Sequence, residues 1–368
     1  MKYSSKAYFL CKLILGGFWI WVIFTLAILS KAAWATQFFE DFFAPMVFAQ
    51  LRNWTNGVSL VSWIPLYVIF WSLVAVSWYL IWKKLKTHSF LQRLHWLTAY
   101  VAFIFASFYW VWGFCYRDSS LGEKLSLTQI ELDSCDLMGE LIMVSSELNR
   151  LRPNLQLMET DHKEDSLLAR NQERLFRQWG IPYYGDLRIR RIPFGGLLRF
   201  STSGIYWPFS FEGHIDGGLH PLQKPYIIAH EMGHGQAIAG EGDCNFVGLW
   251  TCLKSGHSFF RYTALLNYYR RLAALLQYFE GQQPWHIHWA IDPEVYCDIV
   301  QIELRMDDYP DIFGSLITLI YDQYLKGQGI SDGILDYDSV IDLMLAYRNQ
   351  NTATHQMWVY GIGLDDGF

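Results

Sequence analysis

His230-Glu231-Met232-Gly233-His234 is the stretch on which the reading of this chain turns. Residues four apart lie on one face of a helix, so the two imidazoles can converge on one metal ion, and a glutamate beside the first can reach a metal-bound water. That is the arrangement of zinc hydrolases, with Glu231 in the place of the general base. Upstream, Pro225 suits the first turn of a helix, where its missing N–H is not needed, and the predicted helix runs from there through His234.

A zinc site of this kind needs a third protein ligand and an open fourth position. On an unbroken helix Glu241 would stand about 16 Å along the axis from His230, so the chain must reverse between them. Gly235, Gly240 and Gly242 are expected to supply left-handed backbone angles for that turn. Glu241 is the expected third ligand and Asp243 the competing carboxylate. Glu241 is favoured because Asn245 then lies one turn beyond it, where its amide can accept the second N–H of a liganding histidine. Arg261, Tyr262, His257 and His214 are the candidates for oxyanion support or substrate contact, and the sequence does not choose among them. Phe211 to Ile215 is the candidate edge strand for an extended substrate backbone, with a hairpin that merely covers the core as the competing reading.

The surroundings place this motif beside a membrane. Hydrophobic residues make up 52% of the 368, and charged residues only 17%, below the quarter or so usual in soluble domains. Three apolar runs, at about 8–29, 58–82 and 94–116, each approach or exceed the about 20 residues that cross a bilayer as a helix. Ala33-Trp34-Ala35 also suits signal-peptide cleavage, but the first run is long for that role and two others follow. Lys2 and Lys6 precede the first run, and Lys83, Lys84, Lys86 and Arg93 crowd the loop between the second and third. The positive-inside rule then puts the N-terminus in the cytoplasm and residues 117–368 outside it. The lipid bilayer is therefore an expected partner. A net charge of −6 gives no footprint for nucleic acid. Six cysteines without a CxxC pair suggest neither a disulfide framework nor a thiolate zinc site, so Cys244 and Cys252 read as small buried side chains.

Past residue 117 the pattern is that of a folded domain. Thr128 and Glu131 have capping-box spacing for a helix running to about Arg150, and a second helix is expected over Glu164 to Trp179. Leu187 to Ile192 reads as a strand whose Arg188, Arg190 and Arg191 form a solvated face or an anion-binding patch. Extended segments over 204–216 should break at Pro208 and Gly213. Helices are predicted at 259–279, 294–306, 311–325 and 337–347. The fold class is α+β and mainly helical: a three-helix membrane region over 1–116, then a domain of helices with a small sheet and an HExxH helix, which the resemblance given below implies is zincin-like.

Several ordered stretches resemble one bacterial family, the domain of unknown function 3810 family of zincin-like membrane proteins. They are Gly204-Ile205-Tyr206-Trp207-Pro208-Phe209-Ser210, the HExxH stretch, Glu241-Gly242-Asp243-Cys244-Asn245-Phe246, Phe260-Arg261-Tyr262 and, more weakly, Tyr324-Leu325-Lys326-Gly327-Gln328-Gly329. The resemblance implies a gluzincin-type zinc metallopeptidase anchored in the cytoplasmic membrane of a bacterium, with Glu241 and Asn245 matching the element after the motif. The motif and its placement beside the membrane, rather than the resemblance, lead us to expect a peptide or protein substrate near the membrane surface. Ala237 stands where the family pattern leads us to expect glycine, Asp243 where it leads to glutamate, and Cys244 where it leads to alanine. A zinc-binding sensor that passes a signal through its spans is the alternative reading. A transporter is disfavoured, because Lys12 is nearly the only charge within the apolar runs.

Overall fold

Alternation between apolar runs and capped, charged segments divides this chain in the computed structural model as it does in the sequence. The structure describes residues 33–61, 66–86, 89–128, 133–156, 162–280 and 290–350, together with 21, 24–26 and 130. Contacts separate the chain into two units: Met1–Asp118 with Pro208–Ser210, and Ser119–Trp207 with Phe211–Phe368.

In the first unit, α1 (Leu66–Leu85) and α2 (Phe90–Val111) are long and apolar enough to cross a membrane. Ser89 starts α2 with a reciprocal capping box to Gln92, so the basic loop ends where the apolar helix begins. Ser77 and the Tyr100 hydroxyl, 2.7 Å apart, tie the two helices together. Within the second expected span, helix is described at 58–61, as the end of Arg52–Val61, and from Leu66 onward, while 62–65 lie outside the described residues. The third run is helical from Phe90 to Val111, with a 3₁₀ turn at Gly113–Arg117. Most of the first run lies outside the described residues.

In the second unit, α3 (Ser134–Leu151) starts six residues later than the expected cap at Thr128. Asp133 caps it instead, accepting the Asp136 N–H at 2.8 Å. The helix α4 (His162–Trp179) ends at Gly180, which takes a left-handed angle. Strands β1 (Arg188–Ile192), β2 (Gly204–Trp207) and β3 (Glu212–Asp216) form one sheet in the order β1-β3-β2. β3 is parallel to β1 and antiparallel to β2, with Gly213 opposite both Ile189 and Tyr206. Gly213 therefore lies inside a strand and does not break it. The strand expected at the edge is the central one, completely buried, and among the described residues β1 and β2 are the two edges.

Two of the three arginines of β1, Arg190 and Arg191, are held in ion pairs within the fold. Arg190 pairs with Glu212 at 2.5 Å and Arg191 with Asp165 at 2.7 Å, joining the sheet to α4. Beyond the sheet follow α5 (Lys224–Gly235), α6 (Glu241–Leu253), α7 (Ser258–Glu280), α8 (Pro293–Asp307), α9 (Gly314–Gln328), a 3₁₀ turn at Gly333–Asp338 and α10 (Ser339–Gln350). The core sits where α6 packs against α4, α5, α7 and α10, with Trp179, Phe246 and Tyr347 in mutual ring contact. Gly248 lets α6 approach α5 closely: a Cβ there would lie 3.1 Å from the His230 backbone nitrogen. That approach folds Glu241 back over the motif.

Candidate metal centre

The reversal between α5 and α6 is made by a residue other than the expected glycines. Ala237 takes the left-handed angle, φ 65°, while Gly235 closes α5 and Gly240 is an extended residue, φ −66° and ψ 130°, at the head of α6. The turn is held by the Ala237 N–H on the His234 carbonyl at 3.0 Å and by the His234 ring on the Ile238 carbonyl. Alanine pays a modest steric penalty in this conformation, and the hydrogen bonds on either side offset it.

This turn brings His230, His234 and Glu241 together, all buried, with one possible ligand atom from each lying within 4.8 Å of the others. Glu241 Oε2 is 3.2 Å from His230 Nε2 and 3.3 Å from His234 Nε2. The outer ring nitrogens fix the tautomers. His230 Nδ1 donates to Asn245 Oδ1 at 2.9 Å, since the Asn245 amide nitrogen is committed to the Tyr337 carbonyl at 2.9 Å. His234 Nδ1 donates to the Ile238 carbonyl at 2.9 Å, and the Cys244 thiol lies against the same two groups. Both Nε2 lone pairs thus point toward a carboxylate oxygen, an arrangement of three acceptors that calls for positive charge between them.

Burial lowers His230. Burial opposes the charge on His234 too, but there Cys244 and Glu241 outweigh it and raise His234. Burial would raise the Glu241 carboxyl, yet His234 and His230 hold it well below its usual range. In the absence of a cation, therefore, a proton on His234 supplies the positive charge, and a metal ion would displace it. A donor set of two imidazoles and a carboxylate fits zinc, whose usual four positions would leave one for a ligand that is not protein.

Glu231 stands beside this set, and among the described residues its buried Oε2 has no hydrogen-bond partner. Burial pushes its carboxyl up to about 8, with His234 opposing the shift and Glu241 adding to it. The edge strand β2 runs alongside: a Cβ on Gly204 would come 2.4 Å from Glu231 Oε1.

Asp243 is directed elsewhere. Its Oδ2 accepts the Leu121 N–H at 2.9 Å, and burial, with Asp336 adding, raises it to about 7. The folded chain therefore holds this proton more tightly than the unfolded chain, so stability falls as pH rises from about 4 through about 7. Asp243→Asn keeps an acceptor for Leu121 and removes the titration. Its Tm relative to the parent should rise by a few degrees between pH 5 and pH 8; an unchanged difference across that range would contradict the assignment.

The four candidates for oxyanion support have other partners. Arg261 pairs with Glu147 at 2.8 Å, and the Tyr262 hydroxyl donates to Asp298 at 2.6 Å within the Arg152–Asp298 ion pair. The His257 ring stacks on Phe260, with centroids 4.7 Å apart. His214 follows Gly213, whose open face meets the Glu231 Cβ, so strand alternation turns His214 to the other side of the sheet.

Three residues that carried no motif complete the site. The Tyr321 hydroxyl donates to Glu241 Oε1. The Tyr337 hydroxyl is hydrogen-bonded with both Tyr321 and Glu241, and its ring lies parallel to that of His230 with centroids 6.5 Å apart. Asp336 Oδ2 accepts the N–H groups of Glu241 and Gly242, at 2.8 and 3.2 Å, and so caps α6 from a distant part of the chain. Only the tyrosines' place near the weak echo at Tyr324–Gly329 could have hinted at them.

No curated protein and no solved structure matches this chain. A family profile described as "Protein of unknown function (DUF3810)" matches residues 40–345, and the chain, with its two long apolar helices and its His-His-Glu cluster, belongs to that family.

Proposed function

We propose that this chain is a membrane-anchored zinc-dependent peptidase. The observation that carries the reading is the convergence of His230 Nε2, His234 Nε2 and Glu241 Oε2 beside a buried glutamate. These three residues would hold Zn²⁺, which when bound lowers the pKa of a coordinated water and polarises a substrate carbonyl. Asn245 and the Ile238 carbonyl keep both imidazoles in the tautomer that presents Nε2. Glu231 takes the proton of the attacking water on Oε2 and delivers it to the departing amine. Its burial makes it a stronger base than an exposed glutamate. An extended substrate backbone pairs with the open edge of β2, which passes beside Glu231.

The apolar helices anchor the chain in the cytoplasmic membrane. With a third span over the first apolar run and the basic residues of the N-terminus and second loop inside, the catalytic unit lies outside the cytoplasm. The substrate is then a peptide or protein at the membrane surface.

Metal analysis of the full chain in detergent tests the site. The parent and Asp243→Ala should carry one zinc per chain, and His230→Ala and Glu241→Ala should carry little. Zinc retained by Glu241→Ala and lost from Asp243→Ala would reverse the choice of ligand. Stoichiometric zinc without cleavage of any peptide in a mixed-sequence library would reject the peptidase in favour of the sensor reading.

A further inference from the structure

Glu241 has two carboxylate oxygens, and they meet different surroundings. Oε2 faces the two histidines, while Oε1 receives the hydroxyl of Tyr321 from α9. Tyr337, from the Gly333–Asp338 turn, places its hydroxyl against the same carboxylate and against Tyr321. Whether the Tyr337 proton goes to the carboxylate or to the Tyr321 oxygen, Oε1 is occupied by a hydroxyl and only Oε2 remains for a cation. A carboxylate fixed in this way binds through one oxygen and cannot swing to chelate through both.

Tyr321 comes from a helix with few other contacts to the fold. α9 packs mainly on the Gly333–Asp338 turn and leaves Leu316, Leu319 and Ile320 more than half exposed. Asp322, paired with Lys326 of the same helix, accepts the Ile334 N–H at 3.2 Å and so ties helix to turn. Tyr321 is the residue through which that helix reaches the buried cluster.

We propose that Tyr321 and Tyr337 are positioning residues that clamp Glu241 Oε1, reserve Oε2 for the metal, and thereby link metal loading to the seating of α9. The inference rests on the proposed metal site. The metal need not be in place for the clamp to form, but the clamp sets how tightly it is held. The phenylalanine variants keep both rings, so they test the hydroxyls alone.

Zinc affinity of the full chain in detergent, measured by competition with a chromophoric chelator, should fall about 10-fold to 100-fold in Tyr321→Phe and in the double variant Tyr321→Phe/Tyr337→Phe. The cobalt-substituted parent should show a visible d–d spectrum that changes shape in Tyr321→Phe, a response that a merely structural tyrosine would not produce. Zinc should slow hydrogen exchange across 314–328 in the parent and much less in Tyr321→Phe. Unchanged affinity, spectrum and exchange in both phenylalanine variants, with zinc still lost from His230→Ala and Glu241→Ala, would overturn this inference and leave the metal site standing. A parent that binds no zinc would overturn both.

Discussion

Glu231→Gln is expected to retain one zinc per chain and to lower peptide hydrolysis by about 10³-fold or more, within or beyond the range usual for removal of a general base. The substitution touches no ligand atom: His230, His234 and Glu241 hold the metal position, and Glu231 stands beside it with Oε2 unpartnered among the described residues. Glutamine has the same shape and cannot accept a proton. Stability should not fall, because burial already favours the neutral form of Glu231, raising its carboxyl to about 8. Activity in the parent should rise with pH as Glu231 ionises, at a lower pH than that value because a bound dication favours the carboxylate. Hydrolysis by the glutamine variant at the parent rate would sink the role assigned to Glu231. Loss of zinc in that variant would show that the glutamate serves the metal site instead.

Gly242→Ala is expected to destabilise the second unit by about 3 kcal/mol or more and to abolish zinc binding. A Cβ at this position would lie 1.7 Å from Ser339 Oγ and 2.4 Å from the Asp336 carbonyl oxygen. Rotation of Ser339 relieves the first clash. The second is against backbone, so α6 must withdraw from the Gly333–Asp338 turn. Withdrawal breaks the hydrogen bonds from Glu241 and Gly242 to Asp336 and moves Tyr337 away from the carboxylate it contacts. Thermal unfolding and zinc content measured together check this. A Tm and zinc content equal to the parent's would show that the turn can move without disturbing the ligand. Adding Ser339→Gly should not rescue the variant, since the carbonyl clash remains.

Much of the site was legible because its signals are local. His230, Glu231 and His234 share one helical turn, and a helix is specified within a dozen residues by Pro225 at its start and its apolar face. Asn245 could be placed opposite a histidine because α6 is itself a regular helix after Glu241. Long apolar runs announced α1 and α2 for the same reason.

What the sequence could not decide depends on partners far along the chain. The turn expected from three glycines is made at Ala237, because hydrogen bonds from neighbouring groups outweigh a small preference for glycine. The strand expected at an edge became central when β1 paired with its other side, and pairing between strands separated by two dozen residues leaves no local mark. Arg261 and Tyr262 are drawn to Glu147 and Asp298 on other helices. Composition and short-range periodicity thus determined roughly where most helices lie, which of them are long and apolar enough to span a membrane, and that two histidines share a face with a glutamate beside the first. Only tertiary packing decided that Glu241 returns to those histidines, that Asp243 turns to Leu121, and that Tyr321, Asp336 and Tyr337 surround the ligand carboxylate. Those choices rest on burial and hydrogen bonding between residues about 80 to 120 positions apart, and such pairings are set by the fold as a whole.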